Sequence, residues 1–127
     1  MTKKNPIFCS SKPTWANACV GNDGYPDDWT YSRGFSKAAN FLIKAVVKSR
    51  GFDLNVDEFI YPACFNFRHS VELRLKGAIQ TLQRIAEIRG DKLQFDSAAS
   101  HGLKLIWNFF SQQAVNIDKR YSLFNKN

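Results

Sequence analysis

The stretch DEFIYPACFNFRHSVELRLKGAIQTLQRIAEIR, residues 57–89, decides the fold class. Within it Ile60, Cys64, Phe67, Val71, Leu75, Ala78, Leu82 and Ile85 recur at steps of three and four, the spacing of one helix face. Asp57 or Asn55 offers a cap at its start, and Gly90 follows its end. Pro62 falls early. Its missing amide costs little if the helix begins near Asp57, and a kink is expected if the helix begins sooner. A helix of this length spans about 45–50 Å, more than a small domain needs, so it kinks or projects one end towards a partner. Cys64, inside the apolar run, is expected to be a small core residue.

On the N-terminal side, Phe35, Ala38, Ala39, Leu42, Ala45 and Val46 mark a second amphipathic helix at about 30–49, with Lys37, Lys44 and Lys48 largely off its stripe. Arg50-Gly51 closes it, with Gly51 as the expected left-handed cap. On the C-terminal side, residues 90–98 read as a polar loop. A third helix at about 99–113 carries Leu103, Ile106, Trp107 and Phe110 at helical steps. Residues 1–28, with Pro6, Pro13, Gly21, Gly24 and Pro26, are expected to be an irregular arm, parts of which Trp15 and Trp29 are expected to pack on the body. Residues 114–127 form a polar tail, leaving residues 29–113 as the helical domain. The fold class is therefore all-α: an up-and-down bundle of about three main helices. The aromatic load and the overlong central helix leave apolar faces that three helices cannot cover, so a homodimer is expected.

The totals agree with one folded domain. The chain has 127 residues, 44% hydrophobic and 14% aromatic, which makes disorder a poor reading of it. A net charge of +7 favours an anionic partner such as RNA, DNA, a nucleotide or an acidic protein, and serves equally as a solubilising surface. Three cysteines, Cys9, Cys19 and Cys64, form neither a disulfide framework nor a metal motif. No secretory signal opens the chain and no apolar run is long enough for a membrane span, so a cytoplasmic protein is expected, with no membrane partner.

Chemistry concentrates in Arg68-His69-Ser70-Val71-Glu72-Leu73-Arg74-Leu75-Lys76. Arg68, Glu72 and Lys76 share a helix face at four-residue spacing, and His69 joins them. Long charged side chains beside an apolar stripe lose hydration and need partners, which Glu72 supplies to both Arg68 and Lys76. His101 is the only other histidine. Antiparallel packing of the second and third helices would carry it towards the far end of the second, so a site with His69 requires a kink or a second copy. Arginine holds a phosphate through two bonds, and histidine moves a proton from a ribose 2′-hydroxyl near neutral pH. Arg68, His69, Glu72 and His101 are thus the candidate catalytic residues, with Lys76, Arg74 and Trp107 as binding residues. A row of charges along a helix is also the ordinary signature of an ion-pair ladder. No metal-ligand spacing, glycine-rich phosphate loop or nucleophile elbow is present, so neither metal nor cofactor is expected.

The order Trp29-Thr30-Tyr31, Gly34-Phe35, Ala38-Ala39, Tyr61-Pro62, Phe67-Arg68-His69, Glu72-Leu73, Leu75-Lys76 and His101-x-Leu103-x-x-x-Trp107 resembles bacterial HEPN-like helical proteins over roughly residues 29–107. The resemblance implies an up-and-down helical bundle, often dimeric. In many members it also implies a metal-independent RNase of toxin–antitoxin or phage-defence systems; others bind nucleotides or act as inactive partners. The RNase members separate an Arg and a His by four to six positions, whereas Arg68 and His69 are adjacent. Two functions are therefore expected as rivals: a metal-independent ribonuclease or RNA/nucleotide-binding effector, and a non-catalytic interaction module with a cognate protein partner, of antitoxin or immunity type. An open cleft at the charged strip would favour the first, and a closed, fully paired network the second.

Overall fold

Three helices form where the apolar periodicities run. The computed structural model describes residues 27–50, 56–96 and 100–125, and among these there is no strand. Helix α1 is Asp28–Ser49, α2 is Val56–Ile88 and α3 is Leu103–Ile117, followed by a 3-10 helix at Lys119–Asn125. The expected arm up to residue 26, with Cys9, Cys19 and Trp15, lies outside the described residues, as does Gly51. No helix among the described residues is long and apolar enough to cross a membrane.

Local chemistry sets the helix ends. Asp27 has extended backbone, and its carboxylate accepts from the Thr30 amide at 2.9 Å, capping α1 two residues before the expected start. At the other end the left-handed residue is Arg50, φ 51°, with its N–H on the Val47 carbonyl at 3.3 Å. A side chain in this conformation costs about 1–2 kcal/mol, so the cap falls one residue earlier than the glycine that would have carried it free of strain. Pro62 is the seventh residue of α2, inside the helix, so the Glu58 carbonyl lacks its i+4 amide donor. The chain leaves α2 through a Schellman turn: Gly90 at φ 82°, its N–H on Glu87, and the Asp91 N–H reaching back to Ala86 at 2.9 Å.

The turn sends the chain back along α2. Gln83 Nε2 donates to the Leu93 carbonyl at 3.2 Å, Phe95 packs on Phe109 of α3, and His101 arrives beside Glu72. From there α3 runs forward again until Arg89 Nη1 meets the Ile117 carbonyl at 3.1 Å. With its ends fixed at Glu72 and Arg89, α3 is parallel to the second half of α2. This corrects the up-and-down expectation: only α1 and α2 form an antiparallel hairpin, held by Ser32 Oγ donating to the Ser70 carbonyl at 2.7 Å and Gln80 Nε2 to Asp28 at 3.0 Å. Helix α3 also starts and ends four residues later than expected. Ala114, assigned to a polar tail, is instead 3% exposed, because the apolar spacing of Ile106 and Phe110 continues through Ala114 to Ile117.

Helix α2 lies between the other two: among the described residues α1 and α3 each pack against α2. Towards α1 it presents Ala63, Ser70 and Gly77, small residues that permit close approach; a Cβ on Gly77 would stand 2.9 Å from Trp29 Nε1. Towards α3 and the returning chain it presents Glu72, Lys76, Ile79 and Ala86, all buried. By helical rotation these two edges lie roughly 150° apart, so the helices form a flat layer with α2 in the middle. The apolar stripe that announced α2 points elsewhere: Cys64 is exposed, not core, and Ile60, Phe67 and Val71 are half open, while Leu82 alone of the eight is buried.

Candidate functional site

The site is built on Glu72, whose side chain reaches the seam between α2 and the start of α3 and is only 2% exposed. Four basic side chains surround it. Lys76 Nζ stands 3.0 Å from Oε1 and His101 Nδ1 2.9 Å from the same oxygen. Arg68 Nη1 is 3.5 Å from Oε2, and His69 Nδ1 4.0 Å from it. Arg68 also donates through Nη2 to the His101 carbonyl at 2.7 Å, tying α2 to the backbone ahead of α3. Among the described residues no buried side-chain nitrogen or oxygen lacks a partner.

The four residues of α2 meet because the helix repeats every three to four positions, as their spacing predicts. His101 comes by a different route. The antiparallel arrangement would have carried it towards the far end of α2, but the returning chain covers that half of the helix first and delivers His101 to its middle. No second copy is needed to bring the two histidines to one carboxylate.

Burial pushes the Glu72 carboxyl up; hydrogen bonds from His101 and Lys76, together with their charges, more than offset it and hold the group below its usual range. A buried carboxylate held this way is an anchor. Its side chain is 2% exposed, and its closest partners, Lys76 and His101, share Oε1. What it does is orient. With Nδ1 directed at Oε1, the hydrogen bond assigns the proton to Nδ1 and turns Nε2 of His101 outward, and the His101 side chain is 70% exposed. Arg68 is half exposed beside it, and its guanidinium has more donors than the bonds to Glu72 and His101 use. The edge that reaches solvent is therefore cationic with an oriented imidazole.

The remaining expected residues separate. His69 touches Glu72 only at the limit of ion-pair distance, and its ring lies against Phe35, edge-on at 4.5 Å, and Phe65, stacked at 5.8 Å. Neither phenylalanine was singled out for the site; Phe65, four residues before His69 on the same helix, was open to being found by that spacing. Lys76 is inside the network, with 9% of its side chain exposed, and faces Glu72 instead of solvent. Arg74 lies on the other side of α2, lining a shallow hollow with Ser36, Phe67, Ser70, Val71 and Leu75. Trp107 is a turn into α3, tilted against Phe110. Among the described residues no cluster of three His, Cys, Asp or Glu side chains is placed to hold a metal ion. The chain matches no known family model, no curated protein and no solved structure.

Proposed function

We propose that the chain is an RNA-directed effector of a bacterial toxin or phage-defence system, acting on phosphodiesters without a metal through His101 and Arg68. The observation that carries this reading is the division of labour around Glu72: a buried carboxylate orients an imidazole that is itself exposed. In that arrangement Nε2 of His101 takes the proton of a ribose 2′-hydroxyl. The 2′-oxygen attacks phosphorus as the P–O5′ bond breaks; the 5′-oxygen leaves as the alcohol with a proton from water, and the His101 proton returns to solvent, giving a 2′,3′-cyclic phosphate. Arg68 binds the phosphate and offsets the charge that grows on its oxygens. His69, clasped by two phenylalanine rings, positions the strip.

The test is incubation of the pure protein with total RNA in EDTA, beside His101→Ala and Arg68→Ala. Cleavage leaving cyclic phosphate ends, lost in both variants under conditions where each is still folded by circular dichroism despite the bonds it loses at the α2–α3 seam, is the expected result. One further observation favours the rival module: Lys76 and Glu72, both on α2, form a closed pair buried on its α3 side, as a purely structural network would. If RNA is neither bound nor cut, the network is structural and the protein an interaction module with a cognate protein partner.

A further inference from the structure

The two broad sides of the layer differ. Opposite the apolar stripe, Gln80, Arg84 and Glu87 fall on the side of α2 that also carries His69 and Lys76. There the start of α1 and the second half of α2 frame a hollow of 380 Å³, the size of a small-molecule site. Asp27, Gln80, Gln83, Arg84 and Glu87 stand around a single aromatic ring, that of Trp29. A Cβ on Gly77 would stand 2.9, 3.2 and 3.3 Å from Nε1, Cε2 and Cδ1 of this indole. Such near-equal approach to three consecutive ring atoms means that a face of the indole, not its edge, rests on the glycine. Trp29 is nonetheless 40% exposed, so its opposite face is open to a second flat group. Arg84 and Glu87 lie about two and three turns further along α2, and helical side chains lean towards the N-terminus, so both reach back towards the ring.

The hydrogen-bonding groups that remain define what that flat group must be. Gln80 commits Nε2 to Asp28 at 3.0 Å and Gln83 commits its own to the Leu93 carbonyl at 3.2 Å, so each presents an acceptor oxygen. Asp27 keeps one carboxylate oxygen beyond the one that caps Thr30. The Glu87 carboxylate and the Arg84 guanidinium have no ion-pair partner among the described residues. A ligand matched to these groups carries adjacent N–H donors on one edge and acceptors on the next. Guanine has both: N1–H and the N2 amine suit a carboxylate, and O6 and N7 suit an arginine. Adenine and cytosine each set an acceptor beside their amine, and uracil flanks its N–H with two carbonyl oxygens, so none of them gives a carboxylate two donors. A planar cation would satisfy the acceptors equally, but Arg84 repels it.

We infer that this hollow is a guanine-binding site. The base stacks on Trp29, donates N1–H and its N2 amine to Glu87, and accepts from Arg84 at O6 and N7. The hollow is centred about 15 Å along α2 from Glu72, a few nucleotides on a single strand. In an RNA strand it therefore selects the sequence presented to His101 and Arg68. That role rests on the RNA reading, whereas binding of the base does not.

Tryptophan fluorescence with each of the four ribonucleoside monophosphates tests the hollow, and sequencing of cleaved RNA ends tests its role on a strand. Guanosine monophosphate is expected to quench saturably, and to bind at least about fivefold more tightly than the adenosine, cytidine and uridine monophosphates. Trp29→Phe abolishes the change, although Trp15 and Trp107 still fluoresce. Glu87→Gln, at an exposed position, removes the preference for guanine with unchanged helicity by circular dichroism. Cut sites share a guanine at a fixed distance in the wild type and lose it in Glu87→Gln while cleavage persists. No saturable quenching by any nucleotide overturns the proposal, as does equal quenching by all four or an unchanged preference in Glu87→Gln. Cut sites unrelated to guanine overturn its role on RNA. Quenching selective for guanine in a protein that cuts no RNA supports the site and removes the RNA reading alone. Should Trp29→Phe lose its helicity, Glu87→Gln decides.

Discussion

Replacing Glu72 by alanine removes the acceptor on which the α2–α3 seam converges. The carboxylate is almost fully buried and Lys76 keeps only 9% of its side chain in solvent, so the substitution strands an ammonium group in a site built for a pair. Breaking a buried pair by removing one partner costs about 3–5 kcal/mol. The lysine stem is long enough to carry its charge towards water, which places the expectation at the lower end, about 3 kcal/mol. In urea this lowers the unfolding midpoint by roughly 1–3 M for a chain of this size. Glu72→Gln keeps an oxygen for His101 and Lys76 and is expected to lose about half as much, since a hydrogen bond to a charged group contributes roughly 1.5–3 kcal/mol. Lys76→Met leaves Glu72 with His101 and Arg68 still in place, so its cost is smaller than that of Glu72→Ala. The double variant Glu72→Met/Lys76→Met replaces the pair with apolar volume and recovers much of the loss, giving a coupling of at least about 1.5 kcal/mol in a double-mutant cycle. Urea titrations followed by circular dichroism measure the four corners of the cycle: wild type, Glu72→Met, Lys76→Met and the double variant. Additivity within about 0.5 kcal/mol would show that Glu72 and Lys76 do not depend on each other, and the network argument would fail.

Acid should act through the same carboxyl. Glu72 binds its proton less tightly folded than unfolded, so its contribution is full above the ordinary glutamate value of about 4.3 and is lost as pH falls through the lowered folded value; the acid limb of a stability–pH profile should flatten in Glu72→Gln. Gly77→Ala places a Cβ 2.9 Å from Trp29 Nε1; overpacking of about 1–3 kcal/mol outweighs about 1 kcal/mol of gained helix propensity, so thermal melts should show a net loss and tryptophan fluorescence should shift. Arg50→Gly relieves the left-handed backbone at the end of α1; a gain of up to about 1 kcal/mol in urea is expected, and any loss would mean the arginine side chain contributes more than its backbone strain costs.

The extent of α2 was legible because length, cap and glycine stop are local properties, and they place both ends within a residue of Val56 and Ile88. The face it buries was not. Periodicity names the most apolar side of a helix, whereas burial depends on which side a neighbour can approach. Helix α1 approaches where Ala63, Ser70 and Gly77 leave room, and α3 approaches where Glu72 can be paired, so Ser70, Glu72 and Lys76 are buried while Val71 is half open. The charged strip on α2 was legible for the same local reason, down to Glu72 as the shared partner of Arg68 and Lys76.

The place of His101 depended on the path of the connection, and there the sequence held a signal that the antiparallel expectation passed over. A tight turn between adjacent antiparallel helices needs only a few residues, yet some fourteen separate Ile88 from Leu103. The stretch from Asp91 to His101, extended, reaches about 35 Å, while the half of α2 from Ile88 back to Glu72 is about 24 Å long. A connection with that reach, started by a Schellman turn at Gly90 that reverses the chain, has length to spare for the return. It then sets the next helix down parallel to the one it left. Arg68 closes the arrangement by binding the His101 carbonyl, so the residue expected to wait for phosphate also fixes the point where α3 begins. That double engagement makes the exposed donors of Arg68 the part of the site most informative to probe: the bond to His101 predicts some stability cost on removal, and only loss of RNA beyond that cost assigns the remainder to function.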